Sequence, residues 1–209
     1  MYIESSINMS KIEKAKSIIF AHGGIAKTSD FIAEGFFRSD LGWLISKGVI
    51  ERVRQGYYQL ADNYNITEAE YISKLLPEGI VCVESALFYY GYTDFTPREW
   101  SIAVPRTVSY AKLKSFIVPH KIYYIQPDNY ELGKTQADFD GIILPIYDKE
   151  RTICDCFKYR NKLDSELFAK AVNAYVVDKE NNLSNLSKYA KQLRVHNKMM
   201  NMMEVLLNG

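Results

Sequence analysis

The sequence predicts an α+β chain, on three observations. Helical periodicity punctuated by glycines runs up to Gly48, apolar strand-length runs crowd the stretch from Ile80 to Ile146, and helical periodicity returns from Asp148 onward. Strands gathered first and helices later argue against a doubly wound sheet.

The N-terminal elements follow in order. Ser10 to Ala21 places Ile12, Ala15, Ile18 and Ile19 at helical spacing, with Ser10 and Glu13 in capping-box register and Gly23-Gly24 as the stop. Thr28 is expected to cap a second short helix holding Phe31, Ile32 and Ala33, closed by Gly35. A third helix is expected from about Arg38 to Lys47, stopped by Gly48. Strands near 49–53 and 57–60 then flank Arg54-Gln55-Gly56, where the glycine permits the positive φ of a tight turn. A helix running at once into a basic hairpin is the layout of a winged helix-turn-helix, which makes duplex DNA the first candidate partner.

Asp62 to Asn65 is polar and aperiodic, and marks a boundary. Residues 1–63 are read as the winged helix-turn-helix domain and 64–209 as a mixed α+β domain ending in a helical segment. In the latter a connecting helix follows Thr67 and stops at Pro77, an apolar strand spans 80–83 and a short helix spans 85–90. Further strands are expected at 100–104, 116–118, 122–125, 135–139 and 141–146, then helices at 148–158, 165–176, 184–193 and onward to Leu207.

Charge gives no global message. The 209 residues hold 26 Lys+Arg against 25 Asp+Glu, a net charge of +1. Residues 1–61 carry eight basic and six acidic side chains, or +2, and residues 62–209 carry eighteen and nineteen, or −1. Contact with nucleic acid must therefore come from local placement of charge. Cys82, Cys154 and Cys156 show no disulfide-framework spacing and suit a reducing cytoplasm. With no apolar run of membrane-span length and no basic, apolar leader at Met1-Tyr2-Ile3-Glu4, a cytoplasmic location without membrane contact is expected.

Within the third helix, Phe37, Leu41, Leu44, Ile45 and Gly48 fall on one face and are expected to pack inward. The other face carries Ser39, Gly42, Trp43 and Ser46, flanked by Arg38 and Lys47. Trp43 either folds back on a neighbouring element or lies against a sugar edge or thymine methyl. Gly42 favours the latter, since it costs a helix about 1 kcal/mol relative to Ala yet lets the axis approach a groove. A recognition helix reads bases from its first turns, so Arg38, Ser39, Gly42 and Trp43 are nominated for base edges, Arg38 foremost because Arg pairs bidentately with guanine. Ser46 and Lys47 are expected on phosphate, as are Thr28 and Ser29 at the start of the second helix. Arg52, Arg54 and Gln55 of the wing are expected to reach the backbone or minor groove.

Three further stretches carry a resemblance. They are Pro77-Glu78-Gly79-Ile80-Val81-Cys82-Val83-Glu84-Ser85-Ala86-Leu87 with Gly91, then Ile102-Ala103-Val104-Pro105, and Asp148-Lys149-Glu150-Arg151-Thr152-Ile153-Cys154-Asp155. Taken in order with the helix–wing, they resemble the AbiE-type antitoxins of abortive-infection toxin–antitoxin systems, over most of residues 10–180. The resemblance implies an N-terminal winged helix, a C-terminal antitoxin domain, repression of the protein's own operon, and neutralisation of a nucleotidyltransferase-like toxin encoded beside it in phage defence. Two copies are expected to cooperate at inverted repeats in operator DNA. Phe37 departs from the family pattern, standing where relatives often carry a small capping residue; a Phe side chain cannot cap.

Physics gives the motif helix mundane roles. Asp148 can cap it, and Arg151 and Asp155 form an i,i+4 pair worth a few tenths of a kcal/mol on a surface. No catalytic constellation is found. Asp138, Asp140 and Glu150 lack the following acid-x-Lys strand of a metal nuclease, Cys154 and Cys156 have no partner Cys/His pair for zinc, and His22, His120 and His196 are scattered. With no phosphate-cradling glycine loop either, no enzyme activity, metal or cofactor is expected. The tail from 187 to 207 carries Lys188, Lys191, Arg194 and Lys198 with Met199, Met200, Met202 and Met203. It reads as a helix pair closing the core, or as a second basic or Met-rich surface for DNA or toxin. A winged helix that docks on protein, and a regulator without a toxin, remain alternatives.

Overall fold

A computed structural model of the protein describes the backbone of residues 2–62 and 65–208 and the side chains of 8–62 and 65–202. The chain divides into two units, Met1–Glu68 with Ser115–Ile117, and Ala69–Lys114 with Val118–Gly209. Residues 63 and 64, where the sequence placed the boundary, lie outside the described residues.

The first unit runs α1 (Tyr2–Ala21), β1 (Ala26–Lys27), α2 (Thr28–Ala33), α3 (Arg38–Ser46), β2 (Ile50–Arg54) and β3 (Tyr57–Leu60). The apolar stripe Ala15, Ile18 and Ile19 of α1 is buried with Phe31, Leu41 and Leu44. Phe31 meets Phe36 and Tyr58 edge-on at 5.7 and 5.9 Å between ring centroids. The strands form an antiparallel sheet of order β1-β3-β2. β1, too short for any periodicity, was not foreseen.

Three sequence expectations are corrected here. Ser10 lies inside α1, which begins at Tyr2, so it caps nothing. Thr28 is the first residue of α2; the cap position is Lys27, whose N–H donates to the Asp30 carboxylate at 2.7 Å. Phe37 is not a core residue. It precedes α3 in extended conformation (φ −94°, ψ 160°), off the helical phase, and is 73% exposed while Phe36 takes the core position at 4%.

The second unit continues through α4 (Glu68–Leu75), β4 (Ile80–Val81), α5 (Val83–Tyr89), β5 (Trp100–Pro105), α6 (Tyr110–Lys114), β6 (His120–Ile125), α7 (Pro127–Tyr130), β7 (Lys134–Phe139) and β8 (Ile142–Tyr147). Helices α8 (Lys149–Lys158), α9 (Ser165–Val177), α10 (Leu183–Gln192) and α11 (His196–Asn208) close it, with a 3-10 turn at Arg160–Lys162. The mixed sheet has order β6-β5-β4-β8-β7, with β5–β6 and β4–β8 parallel and the other pairs antiparallel. Strand β4 stops short of the expected 80–83 because Val83, at φ +41°, turns the chain into α5; a β-branched residue rarely adopts that region. No strand forms at 116–118, since β5 takes its ladder partner from His120–Ile125. Asp140 and Gly141, both at positive φ, make the two-residue β7–β8 turn.

The sharpest correction concerns α8, read as a partly solvated helix. Glu150 to Phe157 are all buried, and Arg151 and Asp155 are 0% and 1% exposed. Arg151 Nε donates to Asp155 Oδ2 at 3.0 Å, and Nη1 donates to the carbonyls of Asn129 (2.7 Å) and Leu132 (2.9 Å). The guanidinium also stacks 4.0 Å from the Tyr147 ring centroid. Burial pushes the Asp155 carboxyl above its ordinary range. Glu150 accepts from Tyr175 (3.2 Å) and from the Asn182 backbone (2.8 Å), which is structural work far from a nuclease cluster. Asp148 caps the helix by accepting the Arg151 N–H at 2.7 Å. The family-like Glu84 and Ser85 serve the sheet: Glu84 accepts from Ser101, Lys121 and Tyr123, and the Ser85 hydroxyl accepts the Ser101 N–H. Cys82, Cys154 and Cys156 are free and buried, and burial pushes all three thiols up.

Two substitutions test this arrangement by urea denaturation. Asp155→Ala leaves the Arg151 charge buried and without its counter-ion and should cost about 3–5 kcal/mol. Gly133 sits at φ +71°, and a Cβ there would come 2.6 Å from Arg151 Cβ and 3.0 Å from Asp148 Oδ1. Gly133→Ala should therefore cost about 1–3 kcal/mol or more.

Candidate nucleic-acid interface

The start of α3 is fixed by a carboxylate rather than by its cap side chain. Asp40 Oδ2 accepts the Phe37 N–H at 2.8 Å, while Oδ1 accepts Lys11 Nζ of α1 at 2.6 Å. The Lys11 bond, and then the Phe37 N–H, hold Asp40 below the usual carboxylate range. Helix entry without a capping side chain is thereby explained.

From this start, Arg38, Ser39, Gly42 and Ser46 are all exposed and fall within about 100° of one another around the helix. A Cβ on Gly42 would meet nothing within 4 Å, so nothing within the chain requires glycine there. Ser46 donates its hydroxyl to the Trp43 carbonyl at 2.7 Å. Lys47 is exposed at the helix end. Trp43 is partly buried and packs against the core of the first unit, so the indole leans inward from the polar face.

In the wing, β2 and β3 are in register except for an irregularity between Arg52 and Arg54; a bulge of this kind re-aims side chains. The Arg52 guanidinium lies 5.8 Å from the Tyr58 ring and that of Arg54 4.5 Å from the Tyr57 ring. Gln55 is exposed at the turn. Thr28 is tied to the wing, its N–H donating to the Gly56 carbonyl at 2.9 Å. Ser29 is exposed and donates to Asp30.

Sequence reasoning missed Lys27 and Tyr57. Tyr57 is the cross-strand neighbour of both Lys27 and Arg54, and Lys27 Nζ lies 5.9 Å from its ring. A two-residue strand leaves no pattern, so only the alternation of Tyr57 and Tyr58 hinted at this platform.

The charges sort themselves. Lys11 pairs with Asp40, Lys14 with Glu34 at 3.5 Å, and Lys16 with Glu13 at 3.2 Å, all against α1. Glu51 accepts from Gln59 at 2.6 Å. Lys27, Arg38, Lys47 and Arg52 form no ion pair among the described residues. Arg38, Lys47 and Arg52 thus keep their charges on α3 and the wing, while Asp40 is offset by Lys11 and Glu51 remains as an acid on β2.

A glycine-ended helix followed by a tyrosine-braced antiparallel ribbon defines a winged helix-turn-helix. Residues 18–61, from late α1 to just beyond β3, match the family described as transcriptional regulator, AbiEi antitoxin. The winged helix is of that regulator type, as its sequence resemblance implied. The fold is similar to the crystal structure of RV2827C protein from Mycobacterium tuberculosis, with a TM-score of 0.63, 13% identity, and coverage of 87% of this chain and 71% of that one. At that identity the likeness speaks for the fold alone. A search of curated proteins gives no match. Among the described residues, no helix is long and apolar enough to cross a membrane and no three His, Cys, Asp or Glu residues are grouped to hold a metal.

Asp40→Ala should lower stability by about 1 kcal/mol and loosen the start of α3. Because the folded-state pKa is depressed, this contribution is present above the ordinary carboxylate pKa and is lost as pH falls through the lowered value. The difference in urea midpoint between parent and variant should thus shrink on acidification; a difference that holds or grows would contradict the assignment.

Proposed function

We propose that this protein is an autoregulatory repressor that binds inverted repeats in operator DNA through α3 and the wing, and an antitoxin against a cognate nucleotidyltransferase-like toxin. The observation that carries the DNA reading is the sorting of charge, which leaves an exposed Arg38–Ser39–Gly42–Ser46 stripe beside a cationic wing. Arg38 and Ser39 read base edges from the first turn, with Gly42 admitting the helix axis to the major groove. Trp43 supports that face from beneath. Lys47, Ser46, Arg52, Arg54 and Gln55 hold phosphates, and Lys27 joins them from β1. Thr28 and Ser29 offer hydroxyls, with the Asp30 carboxylate already occupying the N-terminus of α2. The antitoxin role rests on the family match and the ordered motifs of the second unit, with contact to the toxin direct or indirect.

Gel shifts on the DNA upstream of the gene test this reading. Arg38→Ala should cost about 1–3 kcal/mol and relax preference at one base position, whereas Arg54→Ala should weaken all sequences alike and reduce the salt slope by about one. Parent-like binding by both variants would reject it. For the antitoxin role, co-expression with the neighbouring reading frame should restore growth when that frame alone arrests it.

A further inference from the structure

The second unit holds a cavity that neither the winged helix nor the family match uses. It measures about 230 Å³ and opens among the end of α8, the 3-10 turn, α9 and α11. Phe157 and Phe168 wall it, and Lys158, Arg160, Asn161 and Lys198 face it. No carboxylate lines it among the described residues.

Asp155 favours the charge on Lys158 and Arg160 helps lower the Asp164 pKa, but neither contact is an ion pair. Lys158, Lys162 and Lys198 form no ion pair among the described residues. Arg160 is pre-organised: its guanidinium stacks 4.5 Å from the Phe168 ring, with one nitrogen donating to Ser165 Oγ at 3.0 Å. Asp164, the nearest acid to Arg160 in sequence, is turned to the N-terminus of α9, where it accepts the N–H groups of Glu166 and Leu167. Lys158 Nζ lies 5.6 Å from the Tyr159 ring, and Lys162 Nζ, just outside the cavity, lies 5.7 Å from it; Tyr159 packs 4.8 Å from Tyr123. Lys121 on that side is balanced by Glu84. Partial burial draws the Lys158 pKa below its ordinary value; the Asp155 carboxylate opposes this and the like charge of Arg151 adds to it.

Three cationic side chains and one amide thus face a single aromatic-walled hollow that no described carboxylate lines, an arrangement that favours an anion. A guanidinium fork beside point-charge ammonium groups suits tetrahedral phosphate oxygens. We propose that this cavity binds a phosphate ester, its charge held by Lys158, Arg160 and Lys198, with Asn161 as a neutral hydrogen-bonding partner. The ester is either a free mononucleotide or a phosphate of a nucleic-acid backbone.

Calorimetric titration of the full chain with adenosine monophosphate and with inorganic phosphate tests the first source. Anisotropy of a labelled duplex of scrambled sequence tests the second. The double variant Lys158→Ala/Lys198→Ala is compared with Lys188→Ala/Lys191→Ala, which removes equal charge elsewhere. The first pair should weaken mononucleotide binding at least about tenfold, or else reduce duplex affinity and its salt slope by about two, while the second pair does neither. If the first pair does not fold, Lys198→Gln reads the same loss. Equal behaviour of the two pairs toward all three probes would overturn the proposal. The mononucleotide arm does not involve the wing, so it stands or falls apart from operator binding.

Discussion

The second unit is organised around a cation that cannot discharge. A guanidinium stays protonated under all ordinary conditions, so sealing Arg151 inside obliges its surroundings to answer it. The Asn129 and Leu132 carbonyls, the Tyr147 face and the Asp155 carboxylate do so from three different stretches of chain. Their positions pin the α7–β7 connection against α8, and Gly133 is needed where the two backbones close up. Helices α5, α9, α10 and α11 then have a rigid central rod to pack on. Such a centre is demanding rather than strongly stabilising, because desolvation offsets much of the attraction. Its merit is uniqueness: few alternative packings satisfy so many directed contacts.

The first unit is built on the opposite plan. Its interior is aliphatic and aromatic, and its charges lie on the surface, where placement is free to serve recognition. Asp40 links the two purposes, since the carboxylate that orders the entry of α3 also neutralises Lys11. The same pairing therefore fixes the start of α3 and lets Lys11 offset the negative charge that Asp40 would otherwise place beside Arg38.

What the sequence disclosed, and what it hid, follows from these two plans. The wing was legible because Gly48 and Gly56 mark real positive-φ positions and a strand-length run lies between the first of them and the basic turn. The helical C-terminal region was legible from periodicity and from Asp148 as a cap. Phe37 misled, since adjacent phenylalanines are interchangeable to a periodicity argument until the helix start is known. Arg151 and Asp155 misled more deeply: an i,i+4 pair looks the same in water and in a core, and only the carbonyls of a segment some twenty residues away distinguish them. Lys27 was hidden because strand pairing across the sheet, not local pattern, brings it to Tyr57.

The three cysteines carry a last consequence. A thiol attacks, coordinates or oxidises as its thiolate, and Cys82, Cys154 and Cys156 are kept both protonated and out of reach by the packing around α8. The cysteines of the folded chain are thus shielded from peroxide and disulfide exchange. Oxidants would find these thiols only once the packing around α8 opens.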